Sequence, residues 1–288
     1  MRDYIISTDN TCDLPLSLLQ ENNIDVHDLY YAFGDDVYGG EKTMPLKEFY
    51  NKMHNGAMPT TMAANPAEIE KKFEATVSKG YDILHIAFSS ALSGSYNAYQ
   101  IASREVLERH PEAKIIIIDS LAASMGEGLI VTEALRLKNT GKSMLEVSKH
   151  IENFKHNACH QFTVNDLNHL QRGGRISKAT AIIGSLVNIK PVLRVDEEGR
   201  LVPLSKVRGR KKALSTLVDN METKMGLFKS MNKTVLISHS DCIEDAQIVA
   251  NDIKNRFGFE VIINDICPTI GAHTGPGTIA LFYWAETR

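Results

Sequence analysis

The chain has 288 residues, 43% hydrophobic and 23% charged, which excludes a disordered polymer and suits two α/β domains better than one small core. A formal net charge of −3 gives no reason to expect a nucleic-acid or membrane-surface partner. Cys12, Cys159, Cys242 and Cys267 stand far apart with no CxxC pair, so disulfides and zinc are not expected and a reducing cytoplasm is.

The start, Met1-Arg2-Asp3-Tyr4-Ile5-Ile6, runs straight into a strand pattern without an apolar signal core. Residues 4–7 read as a strand. Asp13 is expected to cap a short helix, with Pro15 in its first turn and an end near Asn22 or Asn23. Residues 26–33 read as a second strand, and Gly34-Asp35-Asp36 and Gly39-Gly40 carry turn chemistry. Residues 46–54 form a helix closed by Asn55-Gly56. Asn65-Pro66 opens another, as cap and first helical position. Strand, loop and helix then follow twice, over 83–87, 89–95 and 96–109, and over 115–118, 122–128 and 129–138. This order predicts a parallel sheet with flanking helices. Ligands of such sheets sit outside the carboxyl ends of the strands, which puts Asp9, residues 89–95 and Asp119-Ser120 on one rim.

After about Asn157 the pattern changes. Residues 161–164 read as a short strand. Residues 191–195 and 201–207 flank Asp196-Glu197-Glu198-Gly199 as a hairpin. A helix over 212–225, a strand over 233–238, a helix over 244–257, a strand over 260–266 and a last strand over 277–284 complete the chain. The boundaries drawn are 1–157 for an N-terminal α/β domain, with a small insertion at about 30–60, and 158–288 for a C-terminal mixed α+β domain. The most apolar stretch, 179–195, is broken by Ser185, Asn188, Lys190 and Arg194, whereas a transmembrane helix needs about 20 mostly apolar residues.

Four stretches carry chemistry. Ser89-Ser90-Ala91-Leu92-Ser93-Gly94-Ser95-Tyr96 lies between strand and helix, where free amides and hydroxyls hold a carboxylate or phosphate; the plainer reading is a helix cap. Gly271-Ala272-His273-Thr274-Gly275-Pro276-Gly277-Thr278 predicts an irregular backbone with a histidine that can carry charge near neutral pH, against a tight turn with a solvated histidine. Leu170-Gln171-Arg172-Gly173-Gly174-Arg175-Ile176 offers guanidinium forks for an anion, against inter-domain ion pairs around a turn. Pro59-Thr60-Thr61-Met62-Ala63-Ala64-Asn65-Pro66, taken alone, is a capping segment. The basic run Lys206, Arg208, Arg210, Lys211 and Lys212 reads first as a solvated face. No HExxH, GxGxxG after the first strand, or GxxxxGK[ST] is present, so no metal, dinucleotide or other cofactor is expected.

In their order, these stretches resemble the DegV family over nearly the whole chain. The resemblance is carried by Ser7-Thr8-Asp9 with Cys12-Asp13-Leu14, Pro59-Thr60-Thr61, the Ser89 to Tyr96 stretch, and Asp119-Ser120 with Gly126 and Gly128. It continues through Arg172-Gly173-Gly174-Arg175-Ile176, Lys190-Pro191, Arg208 and His273-Thr274-Gly275-Pro276-Gly277. It implies a flavodoxin-like N-terminal domain and a mixed C-terminal one that bind a long-chain fatty acid between them. It also implies a carrier rather than a free-standing enzyme, presenting the acid to a separate ATP-using kinase subunit, with transient membrane contact for lipid exchange. Mapped by motif, Thr61, Ser93, Gly94, His273 and Thr274 would hold the carboxylate, and Arg172 and Arg208 would meet the partner or a phosphate. The family often reads Thr-Ser-Gln-Pro-Ser where this chain has Thr61-Met62-Ala63-Ala64-Asn65, so side-chain roles at 62 and 63 do not carry over. Residues 179–187 and 278–283 are candidate tail lining. The same Ser93 and His273, with Asp9 or Asp119 as orienter, also leave open a serine hydrolase, and the donors leave open a phosphate ligand.

Overall fold

The first half of the chain folds as β1 (Tyr4–Asp9), α1 (Leu16–Glu21), β2 (Asp25–His27), β3 (Tyr30–Phe33), β4 (Asp36–Tyr38), α2 (Leu46–His54), β5 (Thr60–Met62) and α3 (Pro66–Ser78). It continues with β6 (Asp82–Ala87), α4 (Ser95–Arg109), β7 (Ile115–Asp119), α5 (Met125–Asn139) and α6 (Met144–Phe154). The computed structural model describes residues 2–165, 167–177 and 188–288. A four-stranded sheet in the order β2-β1-β6-β7 is parallel throughout, the strand order of a flavodoxin-like fold. Helices cover both faces, which is why β7 reads as the unbroken apolar run Ile115-Ile116-Ile117-Ile118. Ile83 on β6 packs with Phe73 and Val77 of α3 and with Tyr99 and Val106 of α4. Leu84 and Ile86 point the other way, to Leu129 and Ile130 of α5 and Val147 of α6.

The second half runs β8 (Ala158–Thr163), α7 (Asn168–Arg172), β9 (Ile189–Val195), β10 (Leu201–Arg208), α8 (Arg210–Met225), β11 (Thr234–His239), α9 (Ile243–Phe257), β12 (Glu260–Asp265), α10 (Pro268–Thr274) and β13 (Ile279–Trp284). Its six-stranded sheet has the order β10-β9-β8-β13-β11-β12, with β11 and β12 parallel and the other pairs antiparallel. Alternation divides this sheet's two faces. Ile279, Leu281 and Tyr283 pack under Leu214 and Leu217 of α8 and Val249 and Ile253 of α9. Ala280 and Phe282 face α5 and the first half of the chain. No helix among the described residues is long and apolar enough to cross a membrane.

Several elements differ from the sequence expectation, each for a local reason. The run 26–33 splits between two sheets, because Asn10 holds the break: its amide donates to the Asp28 carboxylate and the Leu29 carbonyl, and its oxygen accepts from Leu29 N–H. Asp13 does not cap α1. It sits at φ 52°, and its buried carboxylate accepts from Ser124 Oγ and from the Cys267 amide at 2.9 Å. Residues 60–62 pair as a strand with β3 rather than serving only as a cap. α5 begins at Met125, so Gly126 lies inside the helix, where an added Cβ would stand 2.5 Å from His160 Nε2. Residues 268–274 are helical, not irregular: Pro268 starts α10 and Gly275 at φ 78° ends it. α6 was not anticipated, although Ser143 and Glu146 form the capping box that announces it.

β3, β4 and β5 form a small antiparallel sheet whose aromatic cluster supports α10. Phe49 of α2 is fully buried, with ring centroids 5.2 Å from Tyr31 and 5.1 Å from Tyr50. The Tyr50 hydroxyl donates to the Ile266 carbonyl at 2.8 Å, just ahead of α10. Phe49→Ala is expected to cost about 3–5 kcal/mol by urea unfolding. A loss under about 1 kcal/mol would mean that this cluster contributes little to holding α10.

Candidate functional site

A cavity with about 870 Å³ of non-atom space, part of it open to solvent, lies between the carboxyl ends of the parallel strands and the inner face of the mixed sheet. The loops after β6 and β7 contribute Phe88, Leu92 and Ala123; β8 and β13 contribute Phe162, Ala280 and Phe282; α10 contributes Ile270. The position is the one expected for an open parallel sheet. Residues 278, 280 and 282 line it, whereas 279, 281 and 283 belong to the core beneath α8 and α9. Only alternate residues of the stretch 278–283 are therefore lining. The candidate lining at 179–187 falls outside the described residues.

The polar groups gather on a few segments. Thr61 on β5 and His273 on α10 come together across 212 residues of chain, with Thr61 Oγ1 2.8 Å from His273 Nε2. His273 Nδ1 and Thr274 Oγ1 are buried without hydrogen-bond partners among the described residues. Gly173 makes this packing feasible, because a Cβ there would lie 2.1 Å from His273 Nδ1. Ser93 Oγ is 2.8 Å from Ser95 Oγ and accepts from Ser95 N–H at 3.2 Å, so the serine both steadies the start of α4 and faces the cavity. The Gly94 amide donates to no atom of the described residues. Arg175 Nε and Nη2 donate to the Leu92 carbonyl at 3.0 and 2.7 Å, and Nη1 donates to the Gly173 carbonyl. Among the described residues Arg175 has no acidic partner and no Asp or Glu lines the cavity. Burial lowers its pKa.

Thr61, Ser93, Gly94, His273 and Thr274 thus all line one cavity. Arg172 and Arg208 do not. Arg172 is exposed, with Nη2 3.1 Å from His169 Nδ1, and Arg208 is exposed at the end of β10. The cation that does line the cavity is Arg175, at the far side of the same Gly-Gly pair, and it makes carbonyl contacts rather than an ion pair. Asp9 is fully buried, accepting from Tyr99 Oη and from Phe88 N–H at 2.7 Å, and Asp119 accepts from the Ser90 and Leu121 amides. With His273 bonded to Thr61 and both acids engaged elsewhere, no Ser–His–Asp relay is assembled around Ser93. His160 on β8 also lines the cavity and was not anticipated; strand alternation is the signal that could have turned it inward. The four cysteines are free, and no metal-binding cluster is formed among the described residues.

Fold and site together define an α/β protein in which a parallel and a mixed sheet flank a mostly apolar cavity with a cluster of donors in its wall. The chain belongs to the DegV family: the sequence profile described as "Uncharacterised protein, DegV family" matches residues 4–286. A DegV domain-containing protein of Clostridium perfringens is 40% identical over 291 aligned positions, covering 100% of this chain and 99% of that one. Among solved structures, a DegV family protein from Thermus thermophilus, described by its fatty acid binding, is 26% identical with a TM-score of 0.86, covering 99% of this chain and 100% of that one. DegV from Bacillus subtilis, described as a fatty acid binding protein, is 27% identical with a TM-score of 0.85 at the same coverage.

Burial, reinforced by the charges of Arg175 and Arg172, pushes the His273 pKa down to about 4, so the sequence expectation of a charge near neutral pH does not hold for the free protein. A carboxylate bound alongside favours the imidazolium and raises that value. Between the ordinary 6.5 and about 4 the folded protein binds fewer protons than the unfolded chain, so this group lowers stability as pH falls through that window. An NMR titration of the His273 ring, with and without a bound carboxylic acid, is expected to give a low midpoint that the acid moves upward. A free-protein midpoint at the ordinary value, or one that the acid leaves in place, contradicts this electrostatic account.

Proposed function

We propose that this protein binds a long-chain fatty acid in the cavity, with the carboxylate among Thr61, Ser93, Gly94, His273 and Thr274. The observation that carries the reading is a mostly apolar cavity whose one ionised lining group, Arg175, has no acidic partner among the described residues. A buried carboxylate needs converging donors, because leaving it unpaired costs several kcal/mol. Thr61 and Ser93 supply hydroxyls, Gly94 a free amide, His273 a ring N–H, and Arg175 a counter-charge beside Ser93. The tail supplies affinity: at about 0.8 kcal/mol per methylene, about 14 buried methylenes give roughly 10 kcal/mol before ordering costs. The fatty-acid-binding relatives of the same fold support this choice of ligand.

We further read residues 1–157 and 158–288 as two domains with the acid held between them, in a cytoplasmic carrier that is not itself an enzyme. The carrier presents the acid to a separate ATP-using kinase subunit. The chain has no nucleotide-binding motif of its own, and Arg172 and Arg208 are exposed outside the cavity, where a partner or a phosphorylated product can reach them. Lipid exchange through transient membrane contact fits a carrier of this kind.

Protein purified from bacteria is expected to yield a fatty acid to mass spectrometry after lipid extraction. Ser93→Ala and His273→Ala should each weaken palmitate loading about tenfold or more, since a hydrogen bond to a charged group is worth about 1.5–3 kcal/mol. Empty protein that takes up no added palmitate would sink the ligand assignment, and wild-type affinity in both variants would sink the residue assignment. ATP consumption by the chain alone would overturn the division of labour with a kinase.

A further inference from the structure

The cavity has polar atoms outside the carboxylate cluster. His160 is 1% exposed and lines the cavity from β8, and neither of its ring nitrogens has a hydrogen-bond partner among the described residues. The ring packs edge-on to Phe282, with centroids 5.7 Å apart, and against α5 where Gly126 leaves room for it. Burial, with the charge of Arg288 adding to it, holds the imidazole well below its ordinary pKa. The neutral ring therefore presents one donor and one acceptor, and leaving both unmet is costly. Ser124, another hydroxyl in the cavity wall, is already engaged with Asp13 and Ser238.

The register fixes where this group lies. His160 is directly opposite Phe282. On the same face, four residues earlier, Thr278 bonds the carbonyls of Thr274 and Gly275, at the level of the carboxylate cluster. Four strand residues span about 13 Å, so His160 stands well along the path of a tail rather than beside its head.

Resting on the fatty-acid reading, we infer that His160 is a second polar subsite, which accepts an acyl chain carrying a hydroxyl or similar hydrogen-bonding oxygen part-way along its length. An apolar wall would reject such a chain, whereas a buried imidazole with free donor and acceptor positions meets it.

The test compares stearate, a mid-chain hydroxystearate and α-hydroxystearate by calorimetry. Wild-type protein is expected to bind the mid-chain hydroxy acid at least as tightly as stearate. His160→Phe should weaken the mid-chain hydroxy acid about tenfold relative to stearate measured on the same variant. An equal ratio in wild type and variant overturns the inference while leaving fatty-acid binding intact. If His160→Phe does not fold, the wild type alone decides. Weaker binding of the mid-chain isomer than of stearate, by the margin seen for α-hydroxystearate, means that no subsite operates at His160. Failure of the wild type to bind stearate overturns the fatty-acid reading itself, and this inference with it.

Discussion

The site depends on the grip of Arg175 on the Leu92 carbonyl. Leu92 precedes Ser93 in the loop before α4, and Arg175 follows α7 and Gly173, which packs against His273. One guanidinium therefore joins the serine loop of the parallel sheet to the histidine helix of the mixed sheet. The same chemistry recurs along the seam. Arg288, 2% exposed, donates to the carbonyls of Ser120, Leu121, Lys155 and Asp196. Ser89 Oγ donates to the Gly199 carbonyl at the tip of the β9–β10 hairpin. Charged or hydroxyl donors on backbone carbonyls make directional ties without adding apolar surface, which leaves the space between the sheets free.

The seam also carries opposed proton balances. Asp13 is raised to about 7 and Asp9 to about 6, both chiefly by burial, so the folded state holds their protons more firmly than the unfolded chain. Their contribution is full below the ordinary carboxylate range and is lost as pH rises through those values. His273 acts in the opposite sense across its own window, down to about 4. Asp13 concerns the frame, because it ties Ser124 to Cys267, whereas the histidine lies in the cavity wall.

What could be read from the sequence follows from what is local. The runs at 83–87 and 115–118 announce the parallel sheet because burial on both faces leaves no polar alternation to confuse them. Ser93 and Gly94 are legible because a strand-to-helix loop has a known geometry. Arg175 could be seen as a residue but not as a function, since Arg172 three positions earlier has the same chemistry and only the turn at Gly173-Gly174 sends one inward and the other to solvent. Asp13 was misread because a carboxylate ahead of a proline looks like a cap, while its true partners lie 111 and 254 residues away. His160 could not be singled out without the β8–β13 register.

The mixed sheet can border a cavity because its stability is secured on its other face. Val235, Ile237, Leu281 and Tyr283 belong to a core closed by α8 and α9, independent of what occupies the inner face. On that inner face Phe162, Ala280 and Phe282 border open volume. Apolar side chains that border space rather than atoms forfeit dispersion contacts. On the proposed reading, an acyl chain in that space would restore them and stabilise the fold in proportion to its affinity. On the proposed fatty-acid reading, a ligand would complete one core while the other core keeps the sheet in place, so loading and release would not require unfolding of the sheet that forms the cavity wall.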